Sequence, residues 1–365
     1  MQIGNQLSVA GFFSGAGGLD LGFRNAGFEV PWANEYDKDI WETYEHNHKT
    51  THLDRRSITS IEPTEIPEVT GYIGGPPCQS WSEAGAGRGI NDHRGQLFFN
   101  YLELIKANRP AFFQAENVSG ILSSRHSTAF NEILKSFAKL GYHVSYGLVR
   151  ASNFNVPQDR DRVFIIGYRT DLGIMFNAPA GNTEIPTLKD SIWDLREGAM
   201  PASGGETNGD LLSIPNHEYM TGSFSTIFMS RNRVRGWDQP SFTIQAGARH
   251  APLHPQAPKM EHVGKDQFEF KKGFEHLYRR LGVREAARIQ TFPDDFEFKY
   301  KRISDGYKMI GNAVPVKLAE AFGKVIYSDL CKLEIRKPKK LSPGEIFSFK
   351  DQSLNMLDLS VSISA

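Results

Sequence analysis

The segment Gly74-Gly75-Pro76-Pro77-Cys78-Gln79 presents a thiol on a rigid turn, and a thiol so held can serve as a nucleophile. Two consecutive prolines fix the backbone angles and remove two N–H donors, so the turn cannot relax into a helix. A cysteine on its own is most often a small buried hydrophobe, but this one keeps chemical company. Glu116, in Ala115-Glu116-Asn117-Val118, is an acid closing the strand-like run Ala111-Phe112-Phe113, where a charge needs a partner or a task. Arg160 and Arg162, in Gln158-Asp159-Arg160-Asp161-Arg162, run into the apolar Val163-Phe164-Ile165-Ile166-Gly167. Charge alternation of that kind equally suits a solvated turn. A fourth group is the glycine loop Ser14-Gly15-Ala16-Gly17-Gly18-Leu19-Asp20-Leu21-Gly22. Asp20 occupies the third glycine of a dinucleotide fingerprint, and no Lys or Ser/Thr pair follows to hold phosphate. A nucleoside without phosphates fits the loop better, though the same glycines also suit a tight turn. Glu35 ends the next apolar run, where a carboxylate can grip two ribose hydroxyls.

These residues need a scaffold, and the periodicities supply one. Val9 to Phe13, Phe28 to Ala33, Val69 to Ile73, Ala111 to Phe113 and Val163 to Gly167 read as short buried strands. They alternate with amphipathic stretches such as Gly95 to Asn108 and Ala129 to Leu140. The expectation is an α/β fold with a doubly wound, mostly parallel sheet, whose carboxyl strand ends carry the site. Beyond about residue 175, Gly, Pro, Ser and Asn clusters interrupt short runs. This predicts a second, smaller, loop-rich domain with Trp193, Phe224, Phe228, Trp237 and Phe242 in its core. The domains expected are 1–178 with 283–330, then 179–282, then an accessory and partly disordered tail over 331–365.

Forty-two basic residues balance forty-two acidic ones, so bulk charge does not drive nucleic-acid binding. Contact with DNA must come from local patches, and Arg231, Arg233, Arg235, Arg249 and Lys259 form one around the single acid Asp238. Cys78 and Cys331 are the only cysteines, which excludes a disulfide framework and a cysteine-based zinc site. His250 and His254 have helical ligand spacing, but Pro252 between them breaks the helix, so no metal is expected. No apolar run reaches membrane-spanning length and no leader pattern is visible. A cytoplasmic monomer is expected.

The ordered blocks FxSGxGG, GGPPCQ, ENV, QxRxR, RExxRxQxFP (Arg284 to Pro293) and GNAVP (Gly311 to Pro315) resemble the DNA (cytosine-5)-methyltransferase family over residues 8 to 327. The likeness is closest to bacterial modification enzymes that recognise GGCC, through Asn34 to Lys38, Gln79 to Glu83 and Ile227 to Arg235. The resemblance implies a Rossmann-like methyltransferase fold, S-adenosyl-L-methionine as methyl donor and double-stranded DNA as substrate. It implies catalytic roles for Cys78, Glu116, Arg160 and Arg162, with Cys78 adding to carbon 6 of a flipped cytosine. It implies cofactor contacts at Phe13, Gly15, Gly17, Gly18, Leu19, Glu35, Ser57, Pro77, Asn312 and Val314, and DNA contacts at Ser82, Arg231, Arg233, Arg235 and Arg249. Two departures stand out: Ser57 replaces an aspartate expected at the adenine, and Thr291 replaces a glycine before Phe292-Pro293. A tRNA cytosine methylase and a silent DNA-binding relative are the competing readings.

Overall fold

Strand β1 (Ser8–Phe12) leads into the glycine loop and helix α1 (Gly18–Asn25), and the chain returns beside it as β2 (Glu29–Asn34). Helix α2 (Trp41–Asn47) and β3 (His52–Asp54) carry the sheet outward, and β4 (Gly71–Gly74) then pairs with the other side of β1. The computed structural model describes residues 6–77, 93–336, 338 and 341–349. Helix α3 (His93–Asn108), β5 (Phe112–Val118), α4 (Ser127–Lys139), β6 (Tyr142–Arg150) and β7 (Asp161–Arg169) complete the main α/β unit. With a last strand, β12 (Ile346–Ser348), the sheet runs β12-β6-β7-β5-β4-β1-β2-β3, all parallel except β7, which is antiparallel to both neighbours. It is thus the mostly parallel α/β sheet expected, with the order reversing at β1 and β4, where a ligand crevice opens. Phe12 is paired with Gly74 there, so the glycine loop and the Gly75-Pro76-Pro77 turn leave the sheet side by side.

Alternation sends Phe112 to one face of the sheet and Phe113 to the other. On the Phe113 face, Tyr101 of α3 and Phe137 of α4 pack with Phe12 and Tyr72. On the Phe112 face, Phe23 of α1 packs with Phe164 and with Phe322, which belongs to a helix near the carboxyl end. Both faces are therefore dry, which a parallel sheet requires.

The loop-rich region begins with helix α5 (Leu188–Ile192), two two-residue strands, β8 (Met200–Pro201) and β9 (Glu218–Tyr219), and the hairpin β10 (Glu261–Gly264) with β11 (Gln267–Glu269). After it come α6 (Val283–Ile289), α7 (Ile303–Asn312) and α8 (Val316–Leu330). Its interior differs from expectation. Leu188, Ile192, Ile244 and Ala251 share one cluster with α6, α7 and Ala16 of the glycine loop. A smaller cluster holds Phe228, Val234, Leu253, Met260 and Tyr278, while Trp193 is exposed and only leans on Trp237. The region's short runs bury too little apolar surface alone, so they borrow α6 and α7.

Part of the accessory tail adds to the sheet. Residues Ile346–Ser348 form β12, parallel to β6, and Phe349 reaches the cluster around Phe322. The fit is close: a Cβ on Gly344 would lie 1.7 Å from the Tyr142 carbonyl oxygen.

Candidate active site

A cavity of about 470 Å³ opens at the carboxyl ends of β1, β2, β4 and β5. Phe13, Gly15, Gly18, Leu19, Glu35, Pro77, Glu116, Asn312 and Val314 line it, bringing together most of the residues singled out in the sequence. Three carboxyl side chains, Glu35, Asp37 and Glu116, face this space, and no lysine or arginine does among the described lining residues. A larger cavity of about 790 Å³ lies at the amino ends of β4 and β5, between Pro63, Asn108 and Arg336, and contains none of the expected residues. Chemistry and the sheet's reversal point both favour the smaller one.

The glycine loop is tied to Glu35. The Gly15 amide donates to Glu35 Oε2 at 2.8 Å, the Asp37 amide donates to Oε1 at 2.7 Å, and Trp41 Nε1 donates to the Glu35 carbonyl at 2.8 Å. Burial pushes the Glu35 pKa up, and the Asp37 and Gly15 amides oppose it. Phe13 has φ of 53°, a strained angle for a bulky side chain and one often found where a loop must meet a ligand. A Cβ on Gly18 would lie 2.6 Å from the Val314 carbonyl oxygen, so only glycine lets the GNAVP segment close on the loop.

Behind the loop lie residues that the spacing did not reveal. Asp20 is buried in the first turn of α1 and accepts a 2.7 Å hydrogen bond from the Tyr44 hydroxyl. Burial raises its pKa to about 6. His48 is held neutral, its pKa lowered to about 3 by burial, and donates from Nε2 to the Ala16 carbonyl at 3.2 Å. Gly17 belongs with this layer and does not line the cavity: its φ is 87° and a Cβ there would strike the His48 ring. Ser57 is likewise absent from the lining. Its hydroxyl accepts from the Thr59 amide at 3.4 Å, because a short polar side chain finds the nearest backbone donor first.

Glu116 lies inside β5, rather than past its end. Antiparallel register sets Glu116 opposite Phe164 and Val118 opposite Arg162, so Glu116 and Arg162 are diagonal neighbours on one face. Arg162 Nε meets Glu116 Oε1 at 2.7 Å, with both side chains 12% exposed. Asn117 Nδ2 donates to the Pro76 carbonyl at 3.0 Å, and a Cβ on Gly75 would lie 3.3 Å from Glu116 Oε2. The turn that leads to Cys78 is therefore clamped to the strand that carries Glu116. Cys78 and Ser82 themselves lie outside the described residues.

Arg160 does not face the cavity. It is fully buried and donates to three carbonyls: Ile244 at 2.8 Å, Gly311 at 2.8 Å and Ala313 at 3.0 Å. Gln158 joins the same knot, donating to Gln290 Oε1 at 2.9 Å and accepting from the Ile244 amide at 2.7 Å. Gln290 in turn donates to the Ile310 carbonyl at 2.8 Å. Three of the sequence blocks thus converge on one buried polar joint, which also grips the start of the arginine-bearing loop. Thr291 sits beside it with φ of 62°, and its hydroxyl caps α8 by accepting from the Lys317 amide at 2.9 Å.

The four loop arginines separate into two kinds. Arg233 is buried, lies over the Phe228 ring and donates to the Phe228 and Ile227 carbonyls at 2.8 and 3.0 Å. Arg235 pairs with Asp159 at 2.8 Å and stacks on Phe242. Arg231 and Arg249 are exposed, and nothing among the described residues holds them. No group of three or more His, Cys, Asp or Glu among the described residues could hold a metal ion. No helix among them is long and apolar enough to cross a membrane.

The sequence profile of the C-5 cytosine-specific DNA methylase family matches residues 7–328. The Type II methyltransferase M.FnuDI of Fusobacterium nucleatum is 54% identical over 332 residues, covering 90% of this chain and 96% of that one. M.MthTI of Methanothermobacter thermautotrophicus is 54% identical over 324 residues, covering 89% and 98%. Among solved structures, a putative DNA modification methyltransferase encoded within an E. coli prophage has a TM-score of 0.67 at 25% identity, over 89% of this chain and 99% of that one.

Proposed function

The chain belongs to the C-5 cytosine-specific DNA methylase family, and on that footing we propose that it moves a methyl group from S-adenosylmethionine to carbon 5 of a flipped cytosine in duplex DNA. The proposed target is GGCC, and the proposed setting is the modification arm of a Type II restriction-modification system in the bacterial cytoplasm. Every residue of the proposed site comes from one chain, so a monomer suffices. One observation carries the reading. Glu116, paired with Arg162 behind it, stands on the wall of the cavity that Glu35 and the glycine loop also line, beside Pro77, which directly precedes Cys78 in the chain.

The lining suits the cofactor's chemistry. A cavity with three carboxyls and no basic side chain among its described residues repels phosphates and favours a cationic, phosphate-free nucleoside. Its volume lies within the range of small-molecule sites, roughly 300–1,000 Å³. Glu35 would take the ribose, and Asn312 and Val314 would close over the ligand. Bound there, S-adenosylmethionine supplies an electrophilic methyl group.

The rest of the chemistry belongs to the chain. Carbon 5 of cytosine is a poor nucleophile until a thiolate adds to carbon 6. Cys78 makes that bond, and negative charge moves towards N3 of the ring; once carbon 5 has taken the methyl group, a base removes its proton and elimination breaks the carbon 6–sulfur bond, freeing the thiolate. Glu116 meets N3 with a proton or strong hydrogen bond, while Arg162 orients Glu116 and stabilises the adduct. Arg160 acts at one remove, by fixing the segment that presents Arg162. Carbon 6 is hidden in a duplex, so the base must leave the stack. Arg231 and Arg249, without a partner among the described residues, are the side chains suited to guanine O6 and N7.

The test is transfer of label from tritiated S-adenosylmethionine to duplex DNA, with tRNA alongside and bisulfite sequencing of the product. Methylation of duplex DNA confined to GGCC is expected. Label in tRNA alone would establish the competing reading, no label in either would mean a silent relative, and a different DNA motif would refute the target.

A further inference from the structure

The mouth of the cavity has two walls, one built by residues 35–40 and the other by Met309 to Val314 of α7 and the GNAVP segment. Lys308 of α7 ties them beside the cavity: its Nζ bonds Asp37 Oδ2. Asp37 is the residue whose amide donates to Glu35 Oε1 at 2.7 Å. We propose that Lys308 is a positioning residue for the cofactor: through Asp37 it fixes the 35–37 turn from which Glu35 meets the ribose. The inference rests on the reading that this cavity takes S-adenosylmethionine.

Stability cannot be the reason for the pair. Lys308 is 40% exposed and Asp37 28%, and ion pairs at that exposure contribute about 0–1 kcal/mol. Its bearing on Glu35 runs through the Asp37 amide, with a smaller contribution from the Lys308 charge itself. Burial favours the neutral carboxyl and the Asp37 charge adds to that, while the Lys308 charge opposes it. Lys308 also faces Asp39 and Asp305, and Arg302 bridges those two acids at 3.4 and 3.0 Å. The other charged groups around the site are Glu116 with Arg162 on the far wall and Asp54 with Arg56 at the end of β3. Asp20 titrates behind the glycine loop. Among the described residues none of these hydrogen-bonds Glu35, whereas the Asp37 amide does.

The sign follows from the cation. A protonated Glu35 loses the charged acceptor that two ribose hydroxyls need, so ligand affinity falls as the pH drops through its pKa. Removing the Lys308 charge makes protonation easier and moves that fall to higher pH.

The test is calorimetric titration of the full chain with S-adenosylhomocysteine from pH 5.5 to 8.5, for the wild type, Lys308→Met, Lys308→Arg and Glu35→Gln. Lys308→Met should weaken binding on the order of three- to ten-fold at pH 6 and far less at pH 8.5. Lys308→Arg should restore the wild-type profile, and the melting temperature of Lys308→Met should stay close to wild type. Glu35→Gln should bind weakly and lose this acid limb; any limb that persists belongs to Asp20. If Glu35→Gln is weak but Lys308→Met keeps the wild-type profile, or weakens equally at every pH, the role of Lys308 is overturned and the cofactor reading stands. If Glu35→Gln binds as the wild type does, the cofactor reading itself fails.

Discussion

Glu116 and Arg162 form the pair on which the proposed chemistry turns, and each was visible in the sequence while their contact was not. The acid and the arginine stand in separate blocks, and only the antiparallel pairing of β5 with β7 makes them diagonal neighbours. Arg160 illustrates the opposite problem. It precedes β7, so strand alternation does not carry it to the face of Arg162, and its guanidinium turns into the joint with Ile244 and Gly311. Glu116→Gln should therefore lower kcat by about 10²–10⁴-fold, the usual share of a general acid, and leave cofactor affinity unchanged by calorimetry. Glu35→Ala should do the reverse, weakening cofactor binding by about 1–3 kcal/mol. Asp20 offers a test at the same scale. Its folded pKa of about 6 lies above the ordinary value, so the folded state binds the extra proton. Its favourable contribution is complete below about pH 4 and is lost as the pH rises through about 6, a change on the order of 2–3 kcal/mol. Asp20→Asn should remove that slope from the urea-unfolding free energy measured between pH 4 and 7; an unchanged slope would mean that the acid titrates normally.

At the level of elements, β1, β2, β4, β5 and β7 were legible because each holds a short apolar run bounded by Gly, Pro or a charge, whereas the three-residue β3 and the polar-interrupted β6 were not singled out. The loop-rich region was legible only as a texture. Its two-residue strands and single helical turns leave no periodicity to read, and its core is shared with α6 and α7 through contacts distant in sequence. The strand within the tail was not legible for a related reason. Three residues of strand carry almost no pattern, and what fixes β12 is the free edge of β6 together with the seat for Phe349. Covering that edge also removes a site for pairing between chains. Gly344→Val should prevent docking, since the Tyr142 carbonyl leaves no room for a side chain. Phe349→Ala, a milder change to a half-buried ring, should cost about 1–2 kcal/mol, below the 3–5 kcal/mol of a fully buried one. Both should lower the melting temperature, and Gly344→Val should raise the tendency to aggregate on heating. A melting curve identical to wild type for both variants would show that the strand adds nothing to the fold.

Across the whole molecule, the joint of Gln158, Arg160 and Gln290 links the catalytic strands, the GNAVP segment and the base of the arginine-bearing loop. Such an arrangement lets the target be presented to Glu116 only when the loop is correctly seated. The blocks that meet there were all quoted from the sequence, but as a list; their convergence comes from side chains reaching across 84 to 153 positions. The exposure of Arg231 and Arg249, against the burial of Arg233, also came from packing rather than composition. If Arg249 reads a guanine, Arg249→Ala should cost about 1–3 kcal/mol and relax one position of the site, whereas uniform weakening with a shallower salt dependence would assign it to phosphate. The central claim is that Cys78 attacks carbon 6 of a cytosine in DNA, and trapping tests it most directly. Duplex DNA carrying 5-fluorocytosine in GGCC should, with S-adenosylmethionine, give a complex that survives denaturation, because fluorine cannot leave as a proton does. Mass spectrometry should map the link to Cys78, and Cys78→Ala should yield neither adduct nor methylated product while folding normally. Methyl transfer by Cys78→Ala, or an adduct at Cys331, would contradict the account.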